Sequence, residues 1–527
     1  MLVPPNVAPA LDLAQRLHPP VRNRWLHGWR AWIGPGIATV IGALLRWPKL
    51  GWPRAFVFDE TYYAKDAYAM LKHGIEWNWD DKADSAIVAA KGDPVAIVKL
   101  MDDSASYVVH PPIGKWVISL GEMMFGLTPF GWRFMVCLLG TLAVLIVAWI
   151  AQMLTRSAAI GALAGLLMAI DGTAIVLSRT AILDGILTFF ILCAVLCIIV
   201  DYRRIRRSLA QQLSADFGSS TLLLWQIRPP RLGLRPWLWV AGMFLGLAVS
   251  TKWSALWHIA FLGLLVLGYS FATRRLVGDS RALTSAVLRD GLLLAAAFLL
   301  LPMLIYTASW TGWFISADSY NKHWAADVAA TGVAALLPMV ARSWLHFHHD
   351  VWNFHVTLTS HHDYQANAWS WPVLGRPTSF WYSEEGTCAA DKCSSEVTSM
   401  GNPIIWWAGL IAVLHQAWVW FSTRSRASLT VVVLWFAGWF PWLLYQHRTI
   451  FFFYAVVMVP FTCIALAMSL THIARGVERP NRNLRIAVVT AVVVAAIAMS
   501  WFFMPVWVGD TLTYAQWRWR MWFDTWI

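Results

Sequence analysis

WRFMVCLLGTLAVLIVAWIAQML (132–154), AAIGALAGLLMAIDGTAIVL (158–177) and AILDGILTFFILCAVLCIIV (181–200), parted only by TRS and SRT, decide the fold. Each run is about 20 residues long, enough at helical rise to cross a hydrocarbon core of roughly 30 Å. Backbone in lipid must satisfy its own hydrogen bonds, so such runs are helices. Similar runs fall at 31–48, 237–254, 255–272, 290–308, 403–421, 429–446, 450–471 and 486–505. The reading is an all-α polytopic membrane protein with about eleven transmembrane helices. Composition agrees: of 527 residues, 58% are hydrophobic and 13% charged, and mean hydropathy is +0.54. That charged shell is too thin for a water-soluble globule of this size.

The formal charge of +12 invites a nucleic-acid reading, but the placement of the cations opposes it. With the N-terminus cytoplasmic, the segments 1–30, 155–157, 201–236, 273–289, 422–428 and 472–485 face the cytosol and hold 22 of the 41 Lys and Arg. RRIRR at 203–207 is the densest cluster. Positive charge retained inside fixes this orientation and puts the C-terminus outside. The 36 Trp residues suit headgroup depth. The N-terminus is expected to carry no cleavable signal peptide. The chain divides into a cytoplasmic segment 1–30, a transmembrane module 31–308 that includes a first outer segment 49–131, a second outer segment 309–402, terminal helices 403–505 and an outer tail 506–527. Cys137, Cys193, Cys197 and Cys463 lie in apolar runs and read as packing residues. Cys388 and Cys393 lie outside, where a disulfide is permitted, and TCAADKC lacks the further ligands of a zinc site.

The outer segments carry the chemistry. FVFDETYYAKDAY (56–68) puts Asp59 and Glu60 just beyond the first run, with Tyr62, Tyr63 and Asp66 at helical spacing. A short amphipathic helix lying on the membrane accounts for it, yet carboxylates near lipid are costly without a purpose. HPPIGKW (110–116) presents His110 and Lys115 from a Pro-fixed bend as phosphate donors, or is simply a turn into a helix. In LSRTAILDGIL (177–187), Arg179 and Asp184 can pair around a helical hairpin, with Asp171 one to two turns below. Lys252 in AVSTKW (248–253) is a snorkelling cation or a phosphate ligand. HFHHD (346–350) and His361, His362 and Asp363 in SHHDYQ (360–365) lack the paired-His-plus-Glu pattern of a zinc hydrolase, so no catalytic metal is expected. Tyr364 and Trp369 are available to a sugar face, and Arg448 in a short outer turn would be a fixed charge for a lipid phosphate.

In order along the chain, FDE (58–60), HPPIGKW, SRTAILDG (178–185), AVSTKW, SHHDYQ, GNPIIWW (401–407) and RTIFFFY (448–454) resemble the protein O-mannosyltransferases of the C-type glycosyltransferase superfamily, over about 31–505. The chain is similar to the bacterial form, because the 94 residues of 309–402 are too few and too Trp-rich for the inserted β-trefoil of eukaryotic members. The resemblance implies transfer of mannose from polyprenyl phosphate mannose to Ser or Thr of secreted or membrane proteins, at the outer face of the bacterial cell membrane. It makes Asp59 the catalytic base and Glu60 its assisting acid. It assigns His110, Lys115, Arg179, Asp184, Lys252, His361, His362 and Arg448 to donor phosphate or sugar, and Tyr62, Tyr63, Tyr364 and Trp369 to acceptor or sugar. No cofactor is implied, and the secretion translocon is an implied partner. A related transferase moving aminoarabinose or arabinose to a lipid or glycan is the nearest alternative. A polyprenyl-sugar flippase is further off, since internal repeats and broken midplane helices are not seen.

Overall fold

The computed structural model describes residues 8–20, 23–214, 221, 224–225, 230, 232–233, 235–475 and 481–527. Parts of the predicted cytoplasmic segments 1–30, 201–236 and 472–485, including Arg479, lie outside the described residues. Every apolar run falls on a helix. Among the described residues, eight helices are long and apolar enough to cross a bilayer: Pro129–Thr155, Leu183–Leu213, Ala255–Leu276, Ala282–Ser309, Pro403–Thr423, Arg426–Leu444, Phe452–Ala474 and Arg482–Val508. The runs at 31–48 and 237–254 fold as the shorter helices Ile33–Arg46 and Pro236–Val249, each of 14 residues.

The run at 158–177 is broken. Ala158–Ile170 and Gly172–Arg179 meet at 61°. Asp171 between them has extended backbone, and its carboxylate accepts from the N–H of Ala174 at 3.0 Å, that of Asn402 at 3.1 Å and the indole of Trp406 at 3.0 Å. A buried acid thus caps the second half-helix and binds it to the start of Pro403–Thr423. Asn402 caps that helix through Ile404 and Ile405, with Pro403 at its first position, so GNPIIWW is largely a helix-start signal.

Segments 49–131 and 309–402 both fold on the ends of the helices. In the first, helix Glu60–His73 buries Tyr63, Ala64, Ala67, Tyr68, Ala69 and Met70 and packs against helix Ile113–Phe125. The amphipathic face expected to lie on lipid is therefore covered by protein. Strands Trp77–Trp79 and Met101–Ala105 pair antiparallel beyond it. In the second, helix Met339–Thr357 leads to strands Thr378–Ser383 and Cys393–Ser399, which pair antiparallel, and the tail supplies a third strand, Leu512–Thr513. The all-α expectation is corrected here: these segments leave the helices, and the β-branched and aromatic content of TSFWYS and CSSEVTS favours strands. Cys388 and Cys393 form a disulfide. The tail docks rather than trails. Trp526 is buried and donates to Leu374 O at 2.7 Å, Trp517 donates to Glu396 at 2.6 Å, and Arg376 donates to Thr525 O at 2.8 Å.

Candidate active site

Phe58 sets the geometry. It has left-handed backbone, φ 50°, its N–H donates to Phe380 O at 3.1 Å, and its ring packs on Phe380, Phe451 and Phe453. This pins the first outer segment to the second and turns Asp59 into a recess just before helix Glu60–His73. Tyr63, one helical turn on, donates its hydroxyl to Asp59 at 3.3 Å. Asp59 keeps a solvent-reachable edge but is ringed by protein. Desolvation pushes its carboxyl up to about 6; Lys252 opposes the rise, and Asp184 adds to it.

Lys252 lies in the tight turn between Pro236–Val249 and Ala255–Leu276, where the sequence left almost no loop. Its ammonium bonds both oxygens of Asp184, at 2.9 and 2.8 Å, and sits 4.2 Å from the ring centre of Tyr454. His110 lies between Tyr63 and His355, with ring centroids 5.9 and 5.3 Å away. Burial, then the Lys252 charge, hold His110 well below the ordinary imidazole range, so it is neutral, and its buried Nδ1 has no hydrogen-bond partner among the described residues. His355 faces the Val109 carbonyl with Nε2 at 2.9 Å and Arg448 with Nδ1 at 3.3 Å. Burial holds it at about 4, so the neutral ring donates to the carbonyl and accepts from the guanidinium. Arg448 has no carboxylate partner among the described residues, and its buried Nε is unbonded.

These groups open on a cavity of about 370 Å³. His110, Lys252, His355 and Arg448 line its polar part, and Trp253, Leu256, Trp257, Ala260, Trp352, Val356, Pro441 and Trp442 give it long apolar walls. The shape suits an anion carried on a hydrocarbon tail.

Other predicted residues fall elsewhere. Glu60 is fully buried beneath Asp59, accepting from Arg133 at 2.8 and 2.7 Å and from the N–H groups of Val57 and Ala181. Neighbours on a helix point about 100° apart, so the adjacent acids part company. Lys115 is not free for phosphate: it is buried between Glu76 at 2.5 Å and Asp66 at 3.3 Å. Arg179 and Asp184 do not pair. Arg179 instead donates to the carbonyls of Arg46, Pro48 and Lys49, tying down the end of the first helix. Tyr62 and Trp369 are 64% and 62% exposed. His361 is exposed beside Asp363, and Tyr364 stacks with Arg376. His362 joins the aromatic cluster of Phe58 and Phe451 and accepts from the N–H of Tyr364. In HFHHD, His346, His349 and Asp350 bring ligand atoms within 4.8 Å of one another on a partly exposed helix face. Sequence reasoning missed His355, which has no motif around it, and Tyr454, which closes RTIFFFY.

Fold and sequence together define an integral-membrane glycosyltransferase. Residues 93–349 match the family described as dolichyl-phosphate-mannose-protein mannosyltransferase, and 340–526 match the C-terminal four-transmembrane region of protein O-mannosyltransferase. The chain belongs to the protein O-mannosyltransferase family. It is 32% identical to the polyprenol-phosphate-mannose–protein mannosyltransferase of Mycobacterium tuberculosis over 94% of this chain and 92% of that protein. With the enzyme of the same name from Corynebacterium glutamicum it shares 32% identity over 89% of this chain and 88% of that one. Its fold matches the S. cerevisiae protein O-mannosyltransferase Pmt1-Pmt2 complex bound to the sugar donor, with TM-score 0.68 at 16% identity, covering 98% of this chain and 94% of that chain.

Proposed function

We propose that this protein transfers mannose from polyprenyl phosphate mannose to Ser or Thr hydroxyls of polypeptides, inverting the anomeric carbon. The carrying observation is a tryptophan-walled cavity with Lys252, His110 and Arg448 on its polar side, Lys252 lying close enough to Asp59 for its charge to act on that carboxyl. The names of the relatives give the donor and the acceptor class.

In this reading the phosphate leaves without needing a proton, so one carboxylate suffices where a glycosidase needs two. Asp59 takes the hydroxyl proton as oxygen attacks the anomeric carbon opposite the phosphate. Arg448, with an unused donor, and Lys252, held in place by Asp184, stabilise the negative charge growing on the departing phosphate. Neutral His110 offers a hydrogen bond to phosphate or sugar. These cations do the work a metal would otherwise do, so the reaction runs without a cofactor. Glu60 acts through position alone, holding Arg133 and the backbone on which Asp59 stands.

Eleven crossings with the N-terminus inside put both outer segments and Asp59 on the extracytoplasmic side of the bacterial cell membrane, where unfolded acceptors leave the secretion translocon. The clusters of Arg at the other end of the helices support this orientation.

The test is a transfer assay with purified protein, polyprenyl phosphate mannose and a Ser/Thr peptide. Mannosyl peptide is the expected product; a product only with aminoarabinose donors or lipid acceptors would overturn the reading. The pH profile is diagnostic as well. The base must be ionised, so kcat/KM should fall as pH drops through about 6; an acid limb at the ordinary carboxylate value would contradict the raised pKa of Asp59, and no acid limb at all would remove a carboxylate base. Arg448→Ala should raise KM for the lipid donor by roughly tenfold or more, the worth of a hydrogen bond to a charged group, with little change in KM for peptide. Equal effects on both would make Arg448 structural.

A further inference from the structure

Two adjoining cavities lie at the far end of the helices from Asp59. Arg206 stands 22 residues beyond Asp184 on the same helix, Leu183–Ser214, about 33 Å away at 1.5 Å per residue. The larger cavity, about 590 Å³, opens between the ends of helices Pro129–Thr155, Pro403–Thr423 and Phe452–Ala474, and Arg424, Arg426, His415 and His472 line it. The smaller, about 90 Å³, shares Leu154, Arg426 and Ala427 with it and adds Arg156, Arg203 and Arg206. None of these five Arg pairs with a carboxylate among the described residues, and no Asp or Glu lines either cavity. Arg206 is 8% exposed; two of its nitrogens donate to Leu17 O and Arg16 O, and its buried Nη1 has no partner. Helix Arg426–Trp439 begins where the cavities meet, with Ser425 and Ala427 in the lining, adding the positive end of a helix dipole.

A cluster of cations without acids stores repulsion that an anion relieves. The walls are apolar as well, from Leu154, Ile160, Val419 and Met468 in one cavity and Ile199 in the other. We infer that the paired cavities bind a phosphodiester anion carried on a bilayer lipid, the headgroup of an anionic glycerophospholipid. The orientation proposed above makes this the inner leaflet, where basic pockets between helices meet such headgroups. The site is separate from the recess that holds Asp59.

The test is native mass spectrometry of the purified full-length protein in detergent with added phosphatidylglycerol, phosphatidylcholine or inorganic phosphate. One phosphatidylglycerol should be retained per chain at least about tenfold more strongly than phosphatidylcholine. Arg206→Gln should abolish that preference. Because Arg206 and Arg156 both anchor the N-terminal segment, through Leu17 O, Arg16 O and Pro19 O, Arg203→Gln with Arg424→Gln, at partly exposed and exposed positions, serves as the second variant and should weaken retention about tenfold while mannosyl transfer persists. Equal retention of the two lipids, or wild-type retention by both variants, overturns the inference. Displacement by millimolar inorganic phosphate would assign the anion to a free ion and overturn the lipid.

Discussion

Asp59→Asn should lower mannosyl transfer to a Ser/Thr peptide by roughly 10²–10⁴-fold, the usual contribution of a positioned base, in a protein that still folds and still binds its lipid donor. The second half of that expectation follows from the sign of the shift. Asp59 holds its proton more tightly in the folded chain, at about 6 against the ordinary carboxyl value of 3.8. The native state therefore binds more protons than the unfolded one between those values, and its stability falls as pH rises through that window. Asparagine removes the charge that burial penalises, so at neutral pH the variant should melt at the same temperature as the parent or above it. Thermal denaturation in detergent, alongside single-turnover transfer from labelled donor, reads both. Near-normal turnover would remove Asp59 from the chemistry; a large fall in Tm would make it structural.

Arg133→Met should cost about 3–5 kcal/mol of stability, the penalty for breaking a buried ion pair by removing one partner. It leaves the fully buried Glu60 without its cation and the carbonyls of Leu50, Pro53 and Ala55 without their donor. Glu60→Gln should be similarly damaging, because it strands Arg133. The expected readout is a loss of folded yield and a lowered Tm, with the folded remainder still active. A Glu60→Gln protein with parental Tm and abolished turnover would instead restore Glu60 to the assisting acid that the motif implies.

Asp59→Asn and Glu60→Gln, at adjacent positions, show what the sequence could and could not convey. The helices were legible because a bilayer demands length and apolarity of each segment separately, and both are local properties. The ordered motifs carried the family resemblance for the same reason. Pairing is different. GKW and TKW look alike, yet Lys115 is locked between Asp66 and Glu76 while Lys252 joins Asp184 at the recess. Nothing within either motif states which acid, 39 or 68 residues away, will be its partner. Arg179 and Asp184 illustrate the reverse error: closeness in sequence implied a bond, but each found a better partner from a distant segment. His355 was invisible because its role arises where Val109 and Arg448 converge on it, from three separate stretches.

The three-stranded sheet has its own consequence for biogenesis. Its first two strands end at Ser399, and the third, Leu512–Thr513, is separated from them by four long apolar helices. Pairing of that edge, and the bond from Trp526 to Leu374 O, therefore wait on residues translated after those helices. A chain cut short before Leu512 would leave the edge of Cys393–Ser399 without its third strand, a row of unpaired backbone groups open to wrong pairing.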